Sequence, residues 1–280
     1  GPLTCSMLVG FTLARSPLLL SLSMATSEAR SRQTYLRASA AVIWDVDGTL
    51  VESTTLGFTA TNEVLSTSGY RMVTEDEYKL GCRFTTPDRF NYHIERPAGS
   101  AEGGQLGDLF DKTYVRRVSR ETAGLFDGLE KLLRSLTIAG HPMAVLSNAC
   151  GEYVRAVLSN ACGEYVRAVL SANELDEKPG VRVPLFKEAL GADEVAEAKP
   201  SGAGLLEICS RIEAVPEASV YVGDAPTDGK AARAAGMRSV GVAWGANPAA
   251  ALEADFDVVV SDVPALIVAL RTLLGDDEKS

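Results

Sequence analysis

Histidine is nearly missing from this chain, with only His93 and His141 among 280 residues. Their separation denies them a metal cluster by local spacing, and any histidine mechanism would have to be assembled from distant positions. Cysteine is sparse too: Cys5, Cys82, Cys150, Cys162 and Cys209 are odd in number and include no Cys-x-x-Cys pair. A disulfide scaffold and a zinc site are therefore disfavoured, and the thiols read as reduced and mostly packed. Positive charge is in deficit, with 27 Lys and Arg against 37 Asp and Glu and a formal net charge of −10. That balance repels a phosphate backbone or an anionic bilayer, so neither nucleic acid nor membrane is expected as a partner. Long apolar runs are lacking as well, and the best stretch, Pro17 to Met24, is too short and too interrupted to span a bilayer. What is there suits a globular protein: 46% apolar residues, in a chain long enough for one large domain and a smaller one.

Residues 1–40 stand apart from the rest. No acidic residue precedes Glu28, while Arg15, Arg30, Arg32 and Arg37 are spread through serine-, leucine- and alanine-rich sequence. This is the composition of a transit peptide or similar leader, which would make the protein intracellular and direct it to a plastid or mitochondrion. A disordered tail is the plainer alternative. Gly1-Pro2-Leu3 ahead of Met7 reads as a tag remnant.

Four apolar residues, Ala41 to Trp44, then run straight into Asp45-Val46-Asp47-Gly48-Thr49. Such a run reads as a buried parallel strand whose carboxyl end faces a ligand, the edge where open α/β sheets place active sites. If the pleat continues, Asp45 and Asp47 point the same way and crowd unless a hard cation such as magnesium sits between them. From 53 to 122 the pattern turns helical, with helices such as Leu56 to Thr67 and Gly107 to Val118 joined by turns near Gly69, Pro87 and Pro97 to Gly104. A helical insert here would cover the strand end as a lid. In it, Arg83, Arg89, His93 and Arg96 either reach an anionic substrate or form a solvated charged face. Alternation then resumes: Leu125 to Leu136 reads as a helix, and Met143 to Leu146, Phe186 to Leu190, Val220 to Val222, Ser239 to Ala243 and Phe256 to Val260 as strands. The expected fold class is α/β, a Rossmann-like parallel sheet core of residues 41–52 and 123–275 with a small helical cap, 53–122, inserted after the first strand.

Polar residues follow strands or loops in a fixed chain order: Asp45 and Asp47, then Ser147 with Asn148, then Lys199 before Pro200, then Asp224 and Asp228. In that order they resemble the four motifs of the haloacid dehalogenase superfamily over most of residues 40–275. Gly241-Val242-Ala243-Trp244-Gly245, with Asn247-Pro248 after it, is similar to the phosphoglycolate phosphatase branch. The resemblance implies a magnesium-dependent phosphatase acting on a small phosphorylated metabolite, phosphoglycolate-like or sugar-phosphate-like. Asp45 would attack phosphorus to form an aspartyl-phosphate, and Asp47 would protonate the leaving oxygen and then activate water. Ser147 would donate to a phosphate oxygen and Lys199 would neutralise phosphate and Asp45 together, with Thr49 and Asn148 among the substrate-binding residues. Magnesium would be held by Asp45, the backbone carbonyl of Asp47 and Asp224, while Asp228 orders its water shell or ligates directly. Asp47 speaks against a dehalogenase, whose halide leaves without a proton, and against a phosphonate-cleaving relative built on a cap lysine such as Lys79 or Lys112. A phosphomutase and a non-catalytic or impaired binding protein of the same fold stay open.

Residues 145–156, Val-Leu-Ser-Asn-Ala-Cys-Gly-Glu-Tyr-Val-Arg-Ala, recur without change as residues 157–168. The tandem duplication, 145–168, carries the strand end, its Ser-Asn motif and the next helix start twice, so Ser147-Asn148 and Ser159-Asn160 compete for one place. Met143-Ala144 before the first copy suit a buried strand, whereas Arg155-Ala156 before the second put a charge into it, which favours Ser147. Use of Ser159 would loop out Val145 to Arg155, and because the shift is even the strand would keep its faces. With Ser147 in place, the second apolar stripe (Tyr165, Val166, Val169, Leu170) lies roughly 120° around the helix from the first. The segment then breaks near Gly163 or leaves an apolar stripe for self-association as a homodimer.

Overall fold

The computed structural model describes residues 40–119, 121–158 and 185–276. The N-terminal segment, Ser159, Asn160, Gly163 and the second apolar stripe lie outside the described residues. Six parallel strands form the main sheet in the order β5-β4-β1-β6-β7-β8. They are β1 (Val42–Trp44), β4 (Met143–Leu146), β5 (Glu188–Leu190), β6 (Val220–Gly223), β7 (Arg238–Val242) and β8 (Val258–Val260). β1 lies between β4 and β6, Trp44 facing Val145 on one side and Val222 on the other. The chain leaves β1 for one flank and returns to it for the other, which makes the carboxyl ends of β1, β4 and β6 a topological switch point. Every residue of those three strands is buried, as strands covered on both faces require. Ile43, Leu146, Leu205, Ile208 and Tyr221 form the core on one face of the sheet.

A short antiparallel ribbon, β2 (Val51–Glu52) with β3 (Gly124–Leu125), marks where the chain leaves the sheet domain and re-enters it. Between the two lie four helices: α1 (Thr54–Thr67), α2 (Glu75–Gly81), α3 (Thr86–His93) and α4 (Ala101–Arg117). Two boundaries here differ from the sequence reading. Pro87 stands in the first turn of α3, where its missing N–H has no helical partner to lose. α4 begins at Ala101 and runs through Gly103 and Gly104, which read as turn residues. Gly103 is needed inside the helix because a Cβ there would collide with the Pro87 carbonyl and the Asn91 amide, and its N–H donates to Asn91 Oδ1 at 3.0 Å.

A third boundary shifts for a related reason: Leu125 pairs with Val51 in the ribbon, so the helix expected from it starts later, as α5 (Leu129–Ala139). Its apolar positions Leu129, Leu132, Leu133 and Leu136 keep helical spacing and are all buried. The sheet domain also holds α6 (Ala203–Arg211), α7 (Pro226–Ala234), α8 (Ala249–Leu252) and α9 (Val263–Leu274), with Leu205, Ile208, Ala231 and Ala232 of α6 and α7 in the core cluster above. Cys82, Cys150 and Cys209 are free thiols. Among the described residues no helix is long and apolar enough to cross a membrane.

Candidate active site

The carboxyl ends of β1, β4 and β6 form the floor of a cavity of about 110 Å³. β1 stops at Trp44 because the chain turns at once: the Val46 carbonyl accepts from the N–H groups of Leu50 and Val51 at 2.9 and 3.0 Å. Gly48 takes φ +75° in that turn, a conformation glycine adopts without steric cost. The pleat ends before Asp47, and both Asp45 and Asp47 border the cavity.

Asp45, Asp224 and Asp228 converge, each buried, with one carboxylate oxygen of each within 4.8 Å of the others. Lys199 Nζ lies 2.7 Å from Asp45 Oδ1 and 2.6 Å from Asp228 Oδ1, and donates to the Tyr221 hydroxyl at 2.9 Å. Two of the three buried carboxylates pair with the one ammonium. Burial, offset in part by Lys199 and reinforced by Asp228, pushes the Asp45 carboxyl up to about 7. Burial and then Asp45 and Asp228 hold Asp224 well above the usual carboxylate range. Lys199 is shifted the other way from what its burial alone would do: Asp228 and Asp45 raise it well above an ordinary lysine. The cluster thus carries more negative charge than its lysine neutralises, and hard oxygen donors in this number suit a divalent cation of the magnesium kind.

Backbone details seat these groups. A Cβ at Gly48 or at Gly245 would collide with the Asp224 carboxylate, whose Oδ2 accepts from Ala246 N at 2.7 Å. Asn247 Nδ2 donates to the Asp224 carbonyl at 3.0 Å. Gly245, Ala246 and Asn247 therefore cradle Asp224. Asp228 Oδ2 accepts from Ala225 N at 2.9 Å in the first turn of α7, so its carboxylate is divided between that helix start and Lys199.

Asp47 departs from the carboxylate cluster. Its Oδ1 accepts from Ser53 Oγ at 2.5 Å, Tyr153 OH at 2.6 Å and Tyr114 OH at 3.0 Å. Tyr114 comes from α4 and Tyr153 from the helical residues 151–158, and the two rings stack at 4.0 Å and 11°. Burial pushes both phenols well above the ordinary tyrosine value, so they stay protonated donors. None of Ser53, Tyr114, Tyr153 or Tyr221 stood out in the sequence. Tyr221 had one readable signal, a hydroxyl inside an otherwise apolar buried strand.

Ser147 follows β4 directly, is buried, and borders the cavity, with its Oγ accepting from Ala149 N at 3.0 Å. Two expected substrate-binding residues are placed differently. Asn148 borders the cavity, but its amide braces Lys199: Nδ2 donates to the Lys199 carbonyl at 3.1 Å and Oδ1 accepts from Lys199 N at 3.0 Å. Thr49 is fully buried and does not line the cavity; its carbonyl accepts from Trp244 Nε1 at 3.3 Å. The turn at Val46 rotates Thr49 inward, away from the strand end.

A sequence profile of the haloacid dehalogenase-like hydrolases matches residues 40–236. The phosphoglycolate phosphatase of Xanthomonas campestris pv. campestris (strain 8004) is 31% identical over 214 residues, 75% of this chain and 86% of that protein. Among solved structures, a haloacid dehalogenase-like hydrolase from Bacteroides fragilis superposes with a TM-score of 0.64 at 23% identity, covering 81% of this chain and 99% of that one. A β-phosphoglucomutase from Clostridium difficile superposes with a TM-score of 0.59 at 17% identity, covering 86% and 99%. At those identities the two structures speak to the fold alone.

Proposed function

Since the chain belongs to the haloacid dehalogenase-like hydrolases, we propose that it is a phosphatase that hydrolyses a small phosphomonoester through an aspartyl-phosphate on Asp45. The observation that carries this reading is Lys199 held between Asp45 and Asp228, with Asp224 beside them, on the floor of a cavity whose wall includes Asp47. Lys199 fixes one oxygen of Asp45 and leaves the other to attack phosphorus, while its charge offsets that of the phosphoryl group. The bond from phosphorus to the ester oxygen breaks as the bond to Asp45 forms. Asp47 hands a proton to the leaving oxygen, then takes one from the water that hydrolyses the aspartyl-phosphate, which returns Asp45 and releases inorganic phosphate. Ser147 donates to a phosphate oxygen. Asp45, Asp224 and Asp228 would hold magnesium, together with the Asp47 backbone carbonyl, and the ion when bound supplies neutralisation of the phosphoryl oxygens.

The test is phosphate release from p-nitrophenyl phosphate and from a panel of small phosphoesters, with magnesium and with chelator. The wild type should turn over with the metal and stop without it, and Asp45→Asn should lower turnover by about 10⁴-fold or more. A mutase would interconvert sugar phosphates with little net phosphate release. A silent wild type on the whole panel defeats the enzyme reading.

A further inference from the structure

The four basic residues expected near an anionic substrate are paired elsewhere, packed on rings or set back from the cavity. Arg96 pairs with Glu102 at 2.7 Å on the surface. Arg83 is exposed, with its guanidinium over the Phe84 and Tyr92 rings at 5.0 and 5.7 Å. His93 does not border the cavity. Arg89 borders it, but Phe110 and Tyr78 pack on its guanidinium and its Nε and Nη2 atoms are buried. The polar construction on this side is instead the set of hydroxyls around Asp47.

Ser53 stands at the start of α1, Tyr114 in α4 and Tyr153 in the helical residues 151–158, so three separate elements converge on one atom, Asp47 Oδ1. Tyr153 is fully buried, and Tyr114 and Ser53 nearly so. A buried hydroxyl is unfavourable unless a hydrogen bond satisfies it. Phenylalanine in place of either tyrosine would keep the stacked rings without that demand, so the hydroxyls answer to Asp47 and not to packing. Oδ1 has two lone pairs and already meets three donors, and a proton placed there would displace one of them. Oδ2 accepts no hydrogen bond among the described residues, and Asp47, partly exposed, borders the cavity.

We propose that Tyr114 and Tyr153 are the positioning residues of the acid/base: they fix Oδ1 of Asp47, so that Oδ2 alone carries the proton between leaving oxygen and water. The inference rests on the phosphatase reading above. In the first step the Oδ2–H bond breaks as the leaving oxygen takes the proton, its electron pair staying on Oδ2. In the second, Oδ2 takes a proton from the water whose oxygen bonds to phosphorus as the bond from phosphorus to Asp45 breaks. The hydroxyls on Oδ1 keep their bonds throughout, so the clasp has nothing to rearrange between the steps. Tyr153 stands six residues after Ser147 in the first copy of the repeat, so one short stretch delivers both the phosphate donor and the brace of the acid.

The experiment measures kcat/KM for 2-phosphoglycolate, which must leave as an alkoxide unless protonated, and for p-nitrophenyl phosphate, whose phenolate needs little protonation, with the full chain and magnesium. The double variant Tyr114→Phe, Tyr153→Phe should lose about 100-fold on the alkyl ester, the scale expected when a catalytic group is misplaced by about 1 Å. On the aryl ester it should lose less than about threefold, and each single variant should fall between the wild type and the double. Tyr165→Phe, the same residue in the second copy of the repeat, should change neither rate. Circular dichroism checks that each variant is folded, and if the double variant is not, Tyr153→Phe alone decides by the same two rates. Equal losses on the two esters, an unchanged double variant, or a loss with Tyr165→Phe in place of Tyr153→Phe overturns this inference and leaves the phosphatase reading standing. If the wild type turns over the aryl ester alone, the second step decides: the double variant should release a burst of one nitrophenolate per enzyme before a slow phase, and steady release without a burst overturns the inference. A wild type that hydrolyses neither ester defeats both readings.

Discussion

On the floor of the cavity, Lys199 touches Asp45, Asp228 and Tyr221, Asp224 is seated by Ala246 N, and Asn148 braces the lysine backbone. Across the same cavity Arg89 packs against the Phe110 and Tyr78 rings, and the half-buried Asp111 carboxylate acts on it electrostatically. The floor is a network assembled before any substrate arrives, with an excess of negative charge. The helical side keeps a buried cation whose Nε and Nη2 make no hydrogen bond. Groups that perform chemistry gain from being pre-positioned, because a preorganised site has no reorganisation left to do at the moment of reaction.

Asp47 sits on the seam between the two, and breaking it tests the comparison most severely. It belongs to the floor by sequence, but Tyr114 of α4 and Tyr153 of the helical residues 151–158 both donate to its Oδ1. Asp47→Asn should lower steady-state turnover by about 10²–10⁴-fold. With p-nitrophenyl phosphate, whose leaving group needs little protonation, the loss should fall on the second step, giving a burst of one nitrophenolate per enzyme before slow release. Unchanged turnover in the variant would remove Asp47 from the chemistry and make it a structural tether. A smaller effect sharpens the floor: Ser147→Ala should cost on the order of 10² in kcat/KM, the usual loss of one donor to a developing anion. Ser159→Ala should change it by less than about twofold. The reverse outcome would mean that the second copy of the repeat supplies the site.

The floor was far more legible in the sequence than the cap. Asp45, Lys199, Asp224 and Asp228 could be placed because each follows an apolar strand or a loop at the edge where an α/β sheet opens, so local pattern and function coincide. The pleat does not run on through Asp47, since the strand ends at Trp44 and the chain folds back on Val46, yet Asp45 and Asp47 both border the cavity. Among the helices α1 to α4, packing overrode local signals: Gly103 and Gly104 read as a break, yet Gly103 is there so that α3 can approach α4. The tyrosine clasp was out of reach because Tyr114 and Tyr153 stand 67 and 106 residues from Asp47. Arg89 was visible among four basic residues, and only burial told it from the other three.

The smallest effect concerns stability, and it probes the floor's excess charge. Asp45 titrates near 7 in the folded protein, because burial and Asp228 outweigh Lys199, against about 4 in an unfolded chain. Between those values the folded state binds the extra proton, so stability falls as pH rises from about 4 to about 7 and levels off above. Asp224, also raised, acts in the same direction. His93, pushed down by burial, acts oppositely but equally in both proteins compared. In chelator, the melting temperature of Asp45→Asn minus that of wild type should therefore grow across this window, by several degrees at most for a single such group. Magnesium at pH 8 should raise the wild type more than the variant, since a cation that binds only the folded state stabilises it in proportion to its affinity. Parallel melting curves for the two proteins from pH 4 to 8 would mean that Asp45 titrates normally, and that the floor carries no excess charge for a cation to relieve.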